Sequence, residues 1–199
     1  SASVSSTCMW DATPEITRAV TLGPHTDCNY RDQVPGVQLL HCLVNDAAGG
    51  KSTLVDGLAV TQSLKTDDPT AYEYLSKIMV RFHFKDVNTS FISRCPIIEH
   101  DTEGTFTGIH FSPRTDFVPL LGAEQLEAFY TARRELAQML EDPAFEIGFR
   151  LNSGDLIMFD NHRVLHGRGA FNAHGDRHLQ GCYLDKDGPA SLFRILHSA

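Results

Sequence analysis

The segment from Leu156 to Arg168, followed by Arg177, is the feature that most constrains how this chain can fold. An apolar run ends at an Asp-Asn pair and leads to His166, and Arg177 lies eleven residues beyond that histidine. Side chains alternate between the two faces of a strand, so two antiparallel strands joined by a loop of about ten residues can direct His166 and Arg177 into one cavity. A histidine can bind a metal, and an arginine can fork onto a carboxylate. The segment therefore predicts a strand-built site for a metal and an anion.

The rest of a metal site is found near the start of the chain, in His25-Thr26-Asp27. A strand is predicted over residues 15–22, and at an extended strand end His25 and Asp27 face the same way because they are two residues apart. With His166 they make two histidines and one carboxylate, the set that leaves coordination positions open in non-haem Fe(II) oxygenases. An HxD pair is weak evidence in a chain with ten histidines. The order of these features along the chain is the stronger indication.

Short apolar segments bounded by turn residues predict a mainly β chain with helical inserts. A helix is predicted after Asp56, with a break at Asp67-Asp68-Pro69, and a second over residues 122–140. The remaining predicted strands cover residues 37–44, 52–55, 79–84, 97–100, 106–111, 145–151, 156–159 and 179–184. This pattern favours a β-sandwich or jelly roll decorated by helices, although periodicity leaves other α+β folds open.

Length, charge and cysteine content limit the class of protein. A chain of 199 residues can form one domain with a substantial core. The net charge of −8 argues against a nucleic-acid partner, and no apolar run approaches the length of a membrane span. Five cysteines without a CxxC pair indicate reduced thiols and a cytoplasmic location.

Five segments taken together resemble a known family. HTD, PGVQLLHC, GGKSTLVDG, DNHRVLHGR and RHLQGCY, within residues 22–196, look like the Fe(II)/2-oxoglutarate dioxygenases of the γ-butyrobetaine and trimethyllysine hydroxylase group, in the taurine-dioxygenase-like superfamily. The resemblance implies a double-stranded β-helix, or jelly roll. It also implies Fe(II) held by His25, Asp27 and His166, and 2-oxoglutarate as co-substrate.

The same resemblance implies how 2-oxoglutarate would be held. Arg177 would pair with its distal carboxylate, since a guanidinium binds a carboxylate through two parallel hydrogen bonds. Ser52, or its neighbour Thr53, would place a hydroxyl near a co-substrate carboxylate. Leu40 would pack near the co-substrate.

The implied reaction is hydroxylation of a C–H bond with O₂, with release of succinate and CO₂. The implied substrate is a small quaternary-ammonium compound with an anionic end: a betaine, a trimethyl-amino acid or a trimethylaminoalkyl phosphonate. Tyr183 matches an aromatic that helps to cage a trimethylammonium group, and Tyr30 and Trp10 are further candidates, with ordinary packing as the alternative for those two. Arg114 either holds the anionic end or is a solvated surface arginine.

The extent of the chain and its activity each leave alternatives open. Family members have an N-terminal region that is not visible here, so we expect a single catalytic jelly-roll domain over 1–199, as a fragment or a reduced member. Either case would leave the pocket open or require a partner subunit to close it, and a homodimer is one such arrangement. A non-catalytic jelly-roll module that keeps the metal motif is the alternative function, and a Zn or Mn hydrolase is a third.

Overall fold

The computed structural model describes residues 20–118, 120–172 and 175–198, and within these ranges it is mainly β with four helices. The strands are β1 Leu22–His25, β2 Val37–Asn45, β3 Ser52–Asp56, β4 Val80–Lys85, β5 Ser90–Cys95, β6 Ile98–His100, β7 Phe106–Ile109, β8 Asp116–Phe117, β9 Glu146–Phe149, β10 Leu156–Asp160, β11 Val164–Arg168 and β12 Arg177–Leu184. The helices are α1 Gly57–Asp67, α2 Pro69–Lys77, α3 Ala123–Leu140 and α4 Asp187–His197.

Two antiparallel sheets carry most of the functional side chains. The first, which we call the major sheet, has the order β1-β11-β3-β9, and the second, the minor sheet, has the order β10-β2-β12. Successive strands alternate between them: β1, β3, β9 and β11 lie in the major sheet, and β2, β10 and β12 in the minor sheet. A three-stranded sheet, β5-β4-β8, and the hairpin β6-β7 complete the described β structure.

The helices begin where the sequence supplies caps. Asp56 accepts a hydrogen bond from the Leu58 amide (3.0 Å) and starts α1 directly after β3. Asp68 accepts hydrogen bonds from the amides of Thr70 and Ala71 (both 2.9 Å) and starts α2, with Pro69 in its first turn. These caps confirm the predicted break between two helices. The largest fully buried side chains of the main core come from α1–α3 and the strands beside them: Phe82, Phe129, Leu64, Leu75, Ile97, Ile98, Ile109, Leu136, Leu140, Leu165 and Val55.

Strand β10 of the minor sheet carries apolar side chains on both of its faces. Ile157 and Phe159 face inward, whereas Leu156 and Met158 are exposed on the outer face. An apolar run thus marks a strand here without marking full burial. β5 lies in a segment that the sequence left unassigned, and α4 was not predicted. The strand predicted over residues 15–22 lies mostly outside the described residues.

One prediction about the strands is wrong. His166 and Arg177 do not lie on two strands paired with each other, because β11 pairs with β1 and β3, whereas β12 pairs with β2. The two residues belong to different sheets. They still line one cavity, because that cavity is bounded by both sheets.

Two further expectations concern cysteines and membrane spans. Cys28, Cys42 and Cys95 are thiols outside any disulfide, but Cys182 is disulfide-bonded, so the expectation of five reduced thiols is wrong for Cys182. Sequence spacing reveals only local cysteine pairs, which is why this bond was not expected. Across the described ranges, no helix combines the length and apolar character that crossing a bilayer requires.

Gly167→Ala is expected to lower the free energy of unfolding by about 1–3 kcal/mol. A Cβ at this position of β11 would lie 2.8 Å from the Leu22 carbonyl oxygen and 2.8 Å from Thr53 Oγ1, on the strands at either side. Gly23→Ala is the matched control on β1, because its nearest neighbour would be a flexible Glu141 oxygen at 3.7 Å. Urea unfolding measures both variants. Equal stability of the two would contradict the close packing at Gly167.

Candidate metal centre

A cavity of about 670 Å³ lies between the major and minor sheets. The residues that line it include all ten described residues that the sequence analysis assigned to the site: His25, Asp27, Tyr30, Leu40, Ser52, Thr53, Arg114, His166, Arg177 and Tyr183. Trp10 lies outside the described residues. The structure thus brings the predicted site residues together in one place, from both ends of the chain.

Strand pairing places the two histidines side by side. His25 ends β1 and lies opposite His166 of β11 in the antiparallel register, and their ring centroids are 4.2 Å apart. Asp27 follows in the loop after β1: its Oδ1 is 3.4 Å from His25 Nε2, and its Oδ2 is 3.5 Å from His166 Nε2. Ligand atoms of the three residues all lie within 4.8 Å of one another. Such a group can hold one metal ion.

The backbone beside His25 fixes which way its ring is turned and places a proton on Nδ1. Its Nδ1 lies 2.9 Å from the carbonyl oxygen of Gly23, and a carbonyl oxygen can only accept, so Nδ1 carries the proton and donates. Nε2, the other ring nitrogen, faces Asp27 and is the nitrogen placed to bind a metal. A hydrogen bond of this kind is the usual way in which proteins orient a histidine that binds a metal.

His166 is buried between aromatic and charged neighbours. The pKa of His166 is lowered to about 3. Burial is the main cause, the charge of His25 lowers it as well, and Asp27 opposes both by a smaller amount. The imidazole is therefore neutral at physiological pH, the form that binds metals. The Phe159 ring packs 5.2 Å from it, and its Nδ1 has no hydrogen-bond partner among the described residues.

Asp27 is held as an anion. Burial raises the pKa of Asp27, but His166, His25 and the Tyr183 hydroxyl lower it by more, so the net pKa lies well below the usual range. Its Oδ2 accepts hydrogen bonds from Gln38 Nε2 (2.8 Å) and from the Tyr183 hydroxyl (2.7 Å). An ionised carboxylate beside two imidazoles is a donor set that suits a divalent metal.

The backbone of Asp27 is fixed by Asn161, which lies in the turn between β10 and β11. Asn161 is fully buried; its Oδ1 accepts from the Asp27 amide (2.9 Å), and its Nδ2 donates to the carbonyls of Asp27 (3.0 Å) and Pro35 (3.0 Å). Asp160 stabilises the turn itself, because its Oδ1 accepts from the His162 amide (2.9 Å). Asn161 does more, because it ties the turn before His166 to the loop that carries Asp27.

Two arginines lie along the cavity wall beyond the metal ligands. Arg168 follows His166 by two residues on β11, and Arg177 opens β12; both guanidinium groups lie over the ring of Phe171, at 4.8 Å and 5.4 Å. Burial lowers the pKa of Arg177 to about 10, and Arg168 adds to this effect, so Arg177 is still a cation at neutral pH. Ser52 pairs with Arg168 in the strand register and also lines the cavity. This part of the cavity favours an anion.

Another part of the cavity lining consists of two aromatic residues and an arginine. Tyr30 stacks on Phe84, with ring centroids 4.9 Å apart, and both line the cavity. Arg114 is exposed and also lines it. Arg114 is therefore both solvent-exposed and part of the cavity lining, so each of its two interpretations agrees with one of these observations.

Sequence reasoning missed three residues of the site: Gln38, Asn161 and Arg168. Two of them could have been found from strand alternation, since Gln38 shares a face with Leu40 on β2, and Arg168 shares a face with His166 on β11. Asn161 could not, because its contacts join segments that are far apart in the sequence.

A family model described as taurine catabolism dioxygenase TauD, TfdA family, matches residues 8–183, so the chain belongs to this family. Among curated proteins, it is 41% identical over 187 residues to a gamma-butyrobetaine dioxygenase from Pseudomonas sp. (strain AK-1), covering 94% of this chain and 49% of that protein. It is 38% identical over 180 residues to the Homo sapiens gamma-butyrobetaine dioxygenase (86% and 46%) and 30% identical over 200 residues to a mitochondrial trimethyllysine dioxygenase from Gallus gallus (94% and 47%). The chain spans about half the length of these relatives.

Solved structures share the fold. An asparagine oxygenase in complex with Fe(II), 3-hydroxyasparagine and succinate has a TM-score of 0.66 and 21% identity, over 83% of this chain and 50% of that one. A putative alpha-ketoglutarate-dependent taurine dioxygenase from Burkholderia xenovorans has a TM-score of 0.64 and 18% identity, over 90% and 63%. At these identities the likeness concerns the fold alone.

Asn161→Ala is expected to reduce both stability and divalent-metal affinity. The change leaves the buried amide and carbonyl of Asp27 without partners, at about 1–3 kcal/mol for each group. Loosening a ligand in this way typically weakens metal binding by roughly 10–100-fold. Thermal unfolding and Mn(II) titration measure the two effects, with the exposed Asn88→Ala as control. A folded Asn161→Ala protein with wild-type Mn(II) affinity would remove Asn161 from this role.

Proposed function

We propose that this protein is an Fe(II)/2-oxoglutarate-dependent oxygenase that hydroxylates a C–H bond of a small quaternary-ammonium compound with an anionic end. The observation that carries the proposal is the meeting of His25, Asp27 and His166, with ligand atoms within 4.8 Å, in a cavity that Arg177 also lines. The names of the curated relatives, gamma-butyrobetaine dioxygenase and trimethyllysine dioxygenase, support this substrate class.

Fe(II) fits the three ligands on the chemistry of the donor set. Two imidazole nitrogens and one ionised carboxylate form the two-histidine, one-carboxylate set of non-haem iron oxygenases. When bound, iron and 2-oxoglutarate would supply the activation of O₂, with succinate and CO₂ as co-products. The protein contributes the positions of the ligands and a cavity between two sheets that aims the substrate.

The arginine part of the cavity suits the distal carboxylate of 2-oxoglutarate. Arg177 is a cation at neutral pH, and its Nε has no hydrogen-bond partner among the described residues. Gly50, at φ 66°, lies against it, and a Cβ there would be 3.2 Å from that Nε. Ser52 pairs with Arg168 and shares the cavity face with it, whereas Thr53 pairs with Gly167 on the opposite face of the strand. The Ser52 hydroxyl is therefore the candidate for the co-substrate carboxylate, and Leu40 offers an apolar wall.

Two tyrosines that line the cavity suit a trimethylammonium group. Tyr183 and Tyr30 line the same cavity as the metal ligands, and each ring would attract a cation by about 0.5–2 kcal/mol. Arg114 would bind the anionic end of the substrate through its guanidinium group. Tyr183 would serve twice, since its hydroxyl also donates to Asp27.

The fold is, on this proposal, a double-stranded β-helix that forms a single catalytic domain. It is supported by the alternation of successive strands between the major and minor sheets, since chains that wind in this way form jelly rolls. The homodimer and the cytoplasmic location stay predictions. The disulfide at Cys182 counts against a reducing compartment, and the reduced thiols of Cys28, Cys42 and Cys95 count for one.

Purified protein given Fe(II), 2-oxoglutarate, O₂ and a panel of betaines is expected to release succinate in step with a hydroxylated betaine. Mass spectrometry of both products is the measurement, and His166→Ala is the inactive control. Bound iron without succinate from any candidate would contradict the proposal and favour a non-catalytic module. Hydrolysis of a substrate without 2-oxoglutarate would favour a hydrolase instead.

Arg177→Ala is expected to weaken 2-oxoglutarate binding by ~30-fold or more while leaving Mn(II) affinity unchanged. Removing one partner of a buried charge pair costs about 2–5 kcal/mol. The guanidinium group of Arg177 lies over the ring of Phe171, which is not one of the three metal ligands. Calorimetric titration of Mn(II)-loaded protein measures the effect, with the exposed Arg94→Ala as control. Unchanged 2-oxoglutarate affinity would remove Arg177 from the role.

A further inference from the structure

Gln38 lies on β2 directly opposite Tyr183 of β12, at the end of the cavity that holds Asp27. Its side chain is almost fully buried, with 2% of its surface exposed. Its Nε2 donates to Asp27 Oδ2 at 2.8 Å and lies 3.5 Å from the Tyr183 hydroxyl oxygen. The Tyr183 hydroxyl donates to the same Oδ2 at 2.7 Å.

The other end of the Gln38 amide behaves differently. Its Oε1 is buried and has no hydrogen-bond partner among the described residues. Leaving a buried carbonyl unpaired is costly, so a glutamine present only for packing would be expected to satisfy both ends. The hydrogen bonds that Gln38 makes go to Asp27 and Tyr183, which indicates that this position uses the N–H donor.

Two donors at one carboxylate oxygen have a consequence for metal binding. A carboxylate oxygen has two lone pairs, and Oδ2 of Asp27 already accepts from Gln38 and Tyr183. Oδ1 lies 3.4 Å from His25 Nε2 and accepts from neither. Oδ1 is therefore the oxygen with lone pairs available to a metal.

We propose that Gln38 is a positioning residue that, with Tyr183, makes Asp27 bind the metal through Oδ1 alone. A one-oxygen carboxylate occupies one coordination position, whereas a chelating carboxylate would occupy two. Holding Oδ2 away keeps positions open for a co-substrate that itself binds through two oxygens. The inference rests on the metal centre of the proposed function and adds the residue that fixes how its carboxylate is used.

Gln38→Met tests this role because it keeps the volume of the side chain and removes the donor. The Mn(II) dissociation constant is expected to rise by roughly 10–100-fold, as for other partners of metal ligands. Tyr183→Phe should weaken Mn(II) binding in the same direction, and the double variant should be non-additive, because both donors act on one oxygen. The visible spectrum of Co(II)-loaded protein should also change, since it reports the donor atoms around the metal.

Cys42→Ala is the matched control, on the same strand. Cys42 is fully buried on β2 and packs with Leu151 and Leu179, so its loss should lower the melting temperature without altering Mn(II) affinity. If Gln38→Met does not fold, Gln38→Leu replaces it, since an apolar side chain also lacks the N–H donor. A folded Gln38 variant that binds Mn(II) as tightly as the wild type, with an unchanged Co(II) spectrum, overturns the inference alone. Failure of the wild-type protein to bind Mn(II) would overturn the proposed function with it.

Discussion

Antiparallel pairing of β1 with β11 sets His25 opposite His166, and every other feature of the site is arranged around that register. A slip of one residue would turn a histidine to the opposite face of the sheet. Close packing at Gly167 opposes such a slip, because this residue fits tightly between β1 and β3 on the two sides of β11. Asp27 joins the pair because Asn161 holds its backbone against the turn that leads into β11.

The cavity buries several polar groups, and their hydrogen bonds make this tolerable. An ionised carboxylate without partners is expensive inside a protein. Asp27 avoids that cost through Gln38 and Tyr183, which donate from the minor sheet to a residue that follows a strand of the major sheet. The centre is thus also a contact between the two sheets. The same two hydrogen bonds join the sheets and hold a metal ligand, so folding and metal binding depend on shared contacts.

Much of this arrangement could be predicted from the sequence. Hydrophobic alternation located most strands, Asp56 and Asp68-Pro69 marked the starts of α1 and α2, and the ordered motifs identified the residues that line the cavity. Strand pairing could not be read in the same way. A short interval between His166 and Arg177 suggested neighbouring strands, whereas the chain crosses from one sheet to the other between them. Partners such as Asn161 depend on long-range contacts that no local pattern encodes.

The most direct measurement of the central claim is the position of anomalous scattering from Mn(II) in crystals grown with 2-oxoglutarate. The expected result is one metal peak within bonding distance of His25 Nε2, Asp27 Oδ1 and His166 Nε2, with the distal carboxylate of 2-oxoglutarate at Arg177. A metal bound elsewhere, or a peak that touches only one histidine, would contradict the account.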